Sequence, residues 1–309
     1  MIIDAFPFND ELDMLEMRLG QMDEVADHFV MIEVERTYRG DPKPLYYTQN
    51  KERFAKWNHK IHCITPNLGL AGSWEFEVIQ RNALLDTIKS LSPKEEDTIT
   101  FSDCDEIPNP VVVREHTPRL GLRNLNQYTF WYNYNRLFNY GGRSWSRARI
   151  GTIKEMYERG PMHFRGGPQD DMDPNFPSID NGGWHGTYFG SSIERIRRKV
   201  HSFSHDDLVP FIDSRTDKQI AEDMHNGTCI YHLAGVGTAE HVSSDDPIRV
   251  PPYFRRNQER FSLFTDAFFC EKYKDLLNSP ETGYTVPIPP RTPPVPEWEK
   301  VDKSRLKRH

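Results

Sequence analysis

The stretch Asp97-Thr-Ile-Thr-Phe-Ser-Asp-Cys-Asp-Glu-Ile-Pro108 decides how this chain is read. Thr98 to Phe101 is a β-prone run of the kind that forms a buried strand. The run ends in three acids, Asp103, Asp105 and Glu106, and Pro108 then stops it. Alternating carboxylates at the end of a strand form a compact set of oxygens suited to a hard divalent cation that also holds phosphate. The same acids would also serve as caps of the next helix, for Asn109-Pro110 is a good N-cap followed by proline at the first helical position.

Working back from this stretch, residues 1–6 read as a first strand. A helix follows, on which Leu12, Leu15, Leu19 and Met22 recur at helical spacing. His28 to Val34 and Lys60 to Thr65 read as two more strands. Trp74 to Leu91 reads as one long amphipathic helix, with Arg81 among its apolar positions. Strands alternating with helices predict an α/β fold, a mostly parallel Rossmann-type sheet flanked by helices. In such sheets ligands bind beyond the carboxyl ends of the strands, which brings Asn9-Asp10, Glu33 to Arg39 and Asp103 to Glu106 to one rim.

Working forward, Gln127 to Tyr140 is crowded with aromatics, and its alternation fits a strand pair with one buried face. About half of these rings are expected to be core, and the others to stack on sugar faces. Gly160 to Gly186 reads as a Gly-, Pro- and Asp-rich loop running into a strand, Trp184 to Phe189. Ser191 or Ser192 then caps a helix from Ile193 to Phe203. Phe254 to Leu277 is a further helical stretch, and the proline-dominated 286–296 should be extended.

The chain has 309 residues and a formal net charge of -7, so its overall field does not favour nucleic acid. Cys63, Cys104, Cys229 and Cys270 are scattered with no C-x-x-C pair, which fits neither a zinc site nor a disulfide framework and suits a reducing, cytoplasmic setting. No signal peptide and no membrane-spanning run is recognisable.

Four segments carry a family resemblance. They are Phe8-Asn-Asp-Glu-Leu-Asp-Met-Leu-Glu-Met-Arg-Leu19, Val30-Met-Ile-Glu-Val-Glu-Arg-Thr-Tyr-Arg-Gly-Asp-Pro-Lys-Pro-Leu45, Ser102-Asp-Cys-Asp-Glu-Ile-Pro108 and Gly182-Gly-Trp-His185. In this order they resemble glycosyltransferase family 17, and the lack of an anchor and of secretory-pathway cysteines makes the chain similar to bacterial or phage members. The resemblance implies a GT-A-like domain over 1–277, with a nucleotide-sugar half at 1–108 and an acceptor half at 109–277, followed by a Pro-rich and basic tail at 278–309. It implies an inverting transfer from a nucleotide-sugar donor, UDP-linked and carrying N-acetylglucosamine, to a hydroxyl of a carbohydrate or glycoconjugate acceptor. A sugar nucleotidyltransferase and a non-catalytic carbohydrate-binding protein are the rival readings.

Mn2+ or Mg2+ would be held by Asp103 and Asp105. His185 is a third candidate ligand that would equally suit a buried position beside Trp184; His205 and His232 are weaker ones. The base would be Glu194, which would also suit the helix dipole, or else Asp180. Asp10, Arg18, Glu33, Lys43, Arg81 and Asp103 are expected around the donor, the cations neutralising its phosphates and Glu33 and Glu35 meeting its base or ribose.

Overall fold

The computed structural model describes residues 1–69, 72–138, 145–166, 176–231 and 237–280. Its first half is built on four parallel strands, β1 (Ile2–Pro7), β2 (His28–Ile32), β3 (Ile61–Ile64) and β4 (Thr98–Phe101), in the spatial order β3-β2-β1-β4. The period of two decides which side chains go to which face. Ile3, Ala5, Val30, Ile32, Ile99 and Phe101 pack on one side with Leu84 and Ile88 from the helix Leu84–Ser90. Phe6, Phe29 and Met31 pack on the other with Leu15, Leu19 and Met22 from the helix Leu12–Met22. Helices therefore cover both faces, as the alternation of elements predicts.

The order places the crossover from one direction of sheet growth to the other between β1 and β4. A crevice opens at such a point beyond the carboxyl ends of the two strands. Asn9 to Glu11 and Ser102 to Asp105 are the segments that leave β1 and β4 there.

The second half continues the same sheet. It adds β5 (Glu106–Pro108), β6 (Arg123–Trp131), β7 (Arg136–Phe138), β8 (Arg149–Thr152), β9 (Ser178–Thr187) and β10 (Glu240–His241). β8 joins β4 antiparallel, and β9 lies parallel to β6 while pairing antiparallel with β5. Gly183 sits where a Cβ would meet the Ile107 carbonyl oxygen at 2.1 Å, with φ of +145°, so only glycine lets β9 cross β5 this closely.

Two helices expected to be continuous are divided. Trp74 to Leu91 is split at Ala83 into Ser73–Asn82 and Leu84–Ser90. Phe254 to Leu277 becomes Pro252–Arg256, a short 3-10 turn and Asp266–Asn278, because Thr265 caps the last helix through the Phe268 amide. Of the loop read at Gly160 to Gly186, Pro161–Gly166 is a helix and β9 already begins at Ser178. Phe130, Trp131, Tyr132, Tyr134 and Phe138 are all buried, so none of these five is free to stack on a sugar, and Tyr128 alone is half-buried. Tyr140, His232 and the proline-rich 286–296 lie outside the described residues. The four cysteines are free, and among the described residues no helix is long and apolar enough to cross a membrane.

Candidate active site

At the turn after β4 the two aspartates face different surroundings. Asp105 is buried, and one of its oxygens accepts a 2.5 Å hydrogen bond from Lys199 Nζ. His185 Nε2 lies 3.9 Å from its other oxygen. The register of β5 with β9 sets this approach: His185 pairs with Glu106, and the Gly186 amide donates to the Asp105 carbonyl at 2.8 Å. The His185 ring stacks on Trp145, with centroids 4.3 Å apart, and its Nδ1 is buried without a partner. Burial pushes the imidazole down to about 4, so His185 is neutral near pH 7 and keeps a lone pair.

Asp103 is held differently. Arg81 donates to one of its oxygens at 2.7 Å and Arg165 to the other at 2.6 Å. The Arg165 and Arg81 guanidiniums hold its carboxyl well below the usual range against the cost of burial. Arg165 also reaches Glu106 at 2.8 Å, where Trp145 Nε1 donates at 2.7 Å. Asp103 is therefore a structural anchor of the turn, and the expectation that it shares a cation with Asp105 does not fit its two arginines. Arg81, expected near the phosphates, lies beside the site but spends itself on Asp103 and Glu77.

Arg18 is also placed otherwise than expected. It is fully buried, paired with Asp4 at 2.6 Å, and donates to Ser102 Oγ at 2.8 Å and to the Asp103 and Glu106 carbonyls at 2.6 and 3.2 Å. It fastens the turn from beneath and has no face left for a phosphate. Glu33 has both oxygens taken by the Tyr47 and Thr48 amides at 2.7 and 3.1 Å, so it caps the helix Tyr46–Gln49 instead of meeting a base or ribose. Lys43 remains on the rim, its ammonium on the Asn9 carbonyl at 2.9 Å.

The opposite wall is the helix Ile193–Ser202, capped by Ser192. Its apolar stripe, Ile193, Ile196 and Val200, is in the core, while Arg195, Arg198 and Lys199 project from another face into the cleft. Each meets an acid of the opposite rim: Arg195 with Asp13 at 2.5 Å, Arg198 with Asp10, and Lys199 with Asp105. Glu11 lies in the same cleft and accepts the Asp10 amide at 3.0 Å. Burial and the Asp10 carboxylate raise its carboxyl above the ordinary range. Tyr188, Phe189 and Phe264 supply the apolar lining. Tyr188, Gly190 and Ser191 have φ of +56°, +109° and +47°, so the segment between His185 and the cationic helix is strained.

The two expected bases lie elsewhere. Glu194 is 74% exposed, with Ser192 Oγ and Lys272 as its partners, and does not line the cleft. Asp180 accepts from Asn126 at 2.8 Å, five residues before His185 on β9, and is absent from the cleft lining too. His205 packs edge-on against Trp74.

Glu11, Trp145, Arg165, Arg195, Arg198 and Lys199 line or brace the cleft and were not singled out by sequence reasoning. Only Arg195, Arg198 and Lys199 left a signal, at the i, i+3 and i+4 spacing that puts three cations on one helix face.

A divalent cation fits Asp105 and His185. The pair offers a carboxylate oxygen and a neutral imidazole within one ion's reach, and the half-buried cation now on Asp105 marks a place built for positive charge. Among the described residues no third His, Cys, Asp or Glu joins them. Water and donor oxygens would have to complete such a shell.

Comparison with known proteins identifies the family. The model of "Glycosyltransferase family 17" matches residues 1–242. The β-1,4-mannosyl-glycoprotein 4-β-N-acetylglucosaminyltransferases of Rattus norvegicus and Homo sapiens are each 28% identical over 117 residues, 35% of this chain. That match spans only 21% and 22% of those enzymes' own lengths. Among solved structures, a mannosyltransferase of Pyrobaculum calidifontis in complex with GDP-Man and Mn2+ is similar with a TM-score of 0.34 at 10% identity, over 89% of this chain and 75% of that one. The galactosyltransferase LgtC with donor and acceptor sugar analogs gives 0.32 at 12%, over 90% of this chain and 100% of that one. TM-scores of that size carry no argument about donor or metal. The family match covers well over half of the sequence, and the chain belongs to glycosyltransferase family 17.

Proposed function

We propose that the chain is a metal-dependent, inverting transferase that moves N-acetylglucosamine from a UDP-linked donor to a sugar hydroxyl, in the cleft between the β1 and β4 turns and the helix Ile193–Ser202. The observation that carries this reading is Asp105, at the carboxyl end of β4, with neutral His185 beside it and three cations facing it across the cleft. The sugar rests on the named relatives, and the UDP on the family resemblance alone. The metal and the cleft rest on the chemistry of these side chains.

Arg195, Arg198 and Lys199 give the donor's two phosphates charge-assisted hydrogen bonds. Asp105 and His185 would hold Mn2+ or Mg2+, which as a Lewis acid stabilises the departing nucleoside diphosphate. The acceptor hydroxyl attacks the anomeric carbon on the face opposite the diphosphate, and Glu11 takes its proton. Its raised basicity suits that role better than exposed Glu194, which its neighbours hold in the opposite direction. Tyr188, Phe189 and Phe264 exclude water that would otherwise compete for the donor sugar.

A panel of nucleotide-sugars, scored by release of nucleoside diphosphate with and without EDTA, tests the reading. Release from UDP-N-acetylglucosamine that stops with EDTA and returns with Mn2+ is expected. Undiminished release in EDTA would refute the metal, and release from another donor alone would refute the sugar.

A further inference from the structure

The ammonium of Lys199 holds one Asp105 oxygen at 2.5 Å, with 26% of its side chain exposed, while His185 Nε2 lies nearest the other. Its other neighbours hold it there. The Tyr188 ring lies 5.4 Å from Nζ, and the Glu11 carboxylate adds a second negative field. A lone carboxylate at this depth would be costly, and Lys199 removes that cost with no ion from solution.

We propose that Lys199 is an internal counter-cation that competes with a divalent ion for Asp105, so that free metal binds weakly until Lys199 moves. This rests on the reading of Asp105 and His185 as the ion's protein ligands. Metal binds only the fraction of molecules in which Asp105 is free, and its apparent affinity falls by that fraction. Replacing Lys199 by an uncharged side chain removes the competitor. The variant should then bind metal alone more tightly, and should depend on metal for part of its own stability.

The test is a titration of the full chain with Mn2+ alone, counting free ion by electron paramagnetic resonance. The parental protein is run beside Lys199→Met, Lys199→Arg and Arg198→Met, each first shown to be folded by circular dichroism. Lys199→Met should bind Mn2+ on the order of tenfold more tightly than the parent, while Lys199→Arg keeps the competitor and gains nothing. Arg198→Met removes a charge from the same cleft but one paired with Asp10, and its affinity should change by less than about threefold. The melting temperature of Lys199→Met without metal should lie below the parental value, and Mn2+ should raise it by more than it raises the parent's.

Equal affinity in Lys199→Met and parent would overturn the displacement while leaving the metal ligands standing. So would equal tightening in Arg198→Met, which would mark a general field effect. Failure of all four proteins to bind Mn2+ would overturn both the displacement and the ligand reading.

Discussion

Asp103 and Asp105 stand two residues apart and meet opposite surroundings. Asp103 is gripped by Arg81 and Arg165, and the turn beneath it is fastened by Arg18 to Asp4. Asp105 has one ammonium and a neutral imidazole, and it faces a cleft. Three guanidiniums with rigid forks make one side of the turn a fixed frame. On the other side a flexible lysine leaves a carboxylate that can change partner. A pair of acids that looks symmetric in sequence is thus divided into one fixed by guanidiniums and one that faces the cleft by what lies behind each.

The contrast is broken most strongly at Asp105. Asp105→Asn should lower transfer by about 10⁴-fold, since several kcal/mol of leaving-group stabilisation go with the ligand, while the melting temperature stays near the parental value. Initial rates of nucleotide release check this, and a loss below tenfold would make Asp105 dispensable. On the anchor side the loss should appear in stability. Arg18→Met leaves Asp4 buried and unpaired, and denaturant unfolding should show a cost of roughly 3–5 kcal/mol. A cost under about 1 kcal/mol would mean that the turn holds without its fastening.

Smaller effects separate the two candidate bases. Glu11→Gln keeps shape and loses basicity, so kcat should fall by at least ~10², with donor affinity nearly unchanged. Glu194→Gln should change turnover by less than about twofold, because that side chain points to solvent and Lys272. A reversal of these two results in steady-state kinetics would return the role to Glu194.

Much of this was legible in the sequence. Thr98 to Phe101 followed by alternating acids located β4 and Asp105, and the family segment Gly182-Gly-Trp-His185 picked out His185. The three rim segments follow from the alternation of strands and helices. What was not legible is which partner each charge takes. Arg165 is 62 residues from Asp103 and Lys199 is 94 from Asp105, and no local pattern encodes pairing over such separations. Arg18 and Glu33 lie in the expected region, but the backbone groups and the buried ion they meet are likewise encoded by no local pattern. Glu194 falls outside the cleft for a geometric reason: one residue is about 100° of helix, enough to turn it off the face shared by Arg195, Arg198 and Lys199.

The division of the turn can be seen directly in an anomalous-diffraction map of crystals containing Mn2+ and UDP. The expected result is a manganese peak within about 2.3 Å of an Asp105 oxygen and of His185 Nε2, with Lys199 Nζ moved off Asp105 and Asp103 still bound to Arg81 and Arg165. A peak on Asp103, or UDP bound in the cleft with no peak at Asp105, would contradict it.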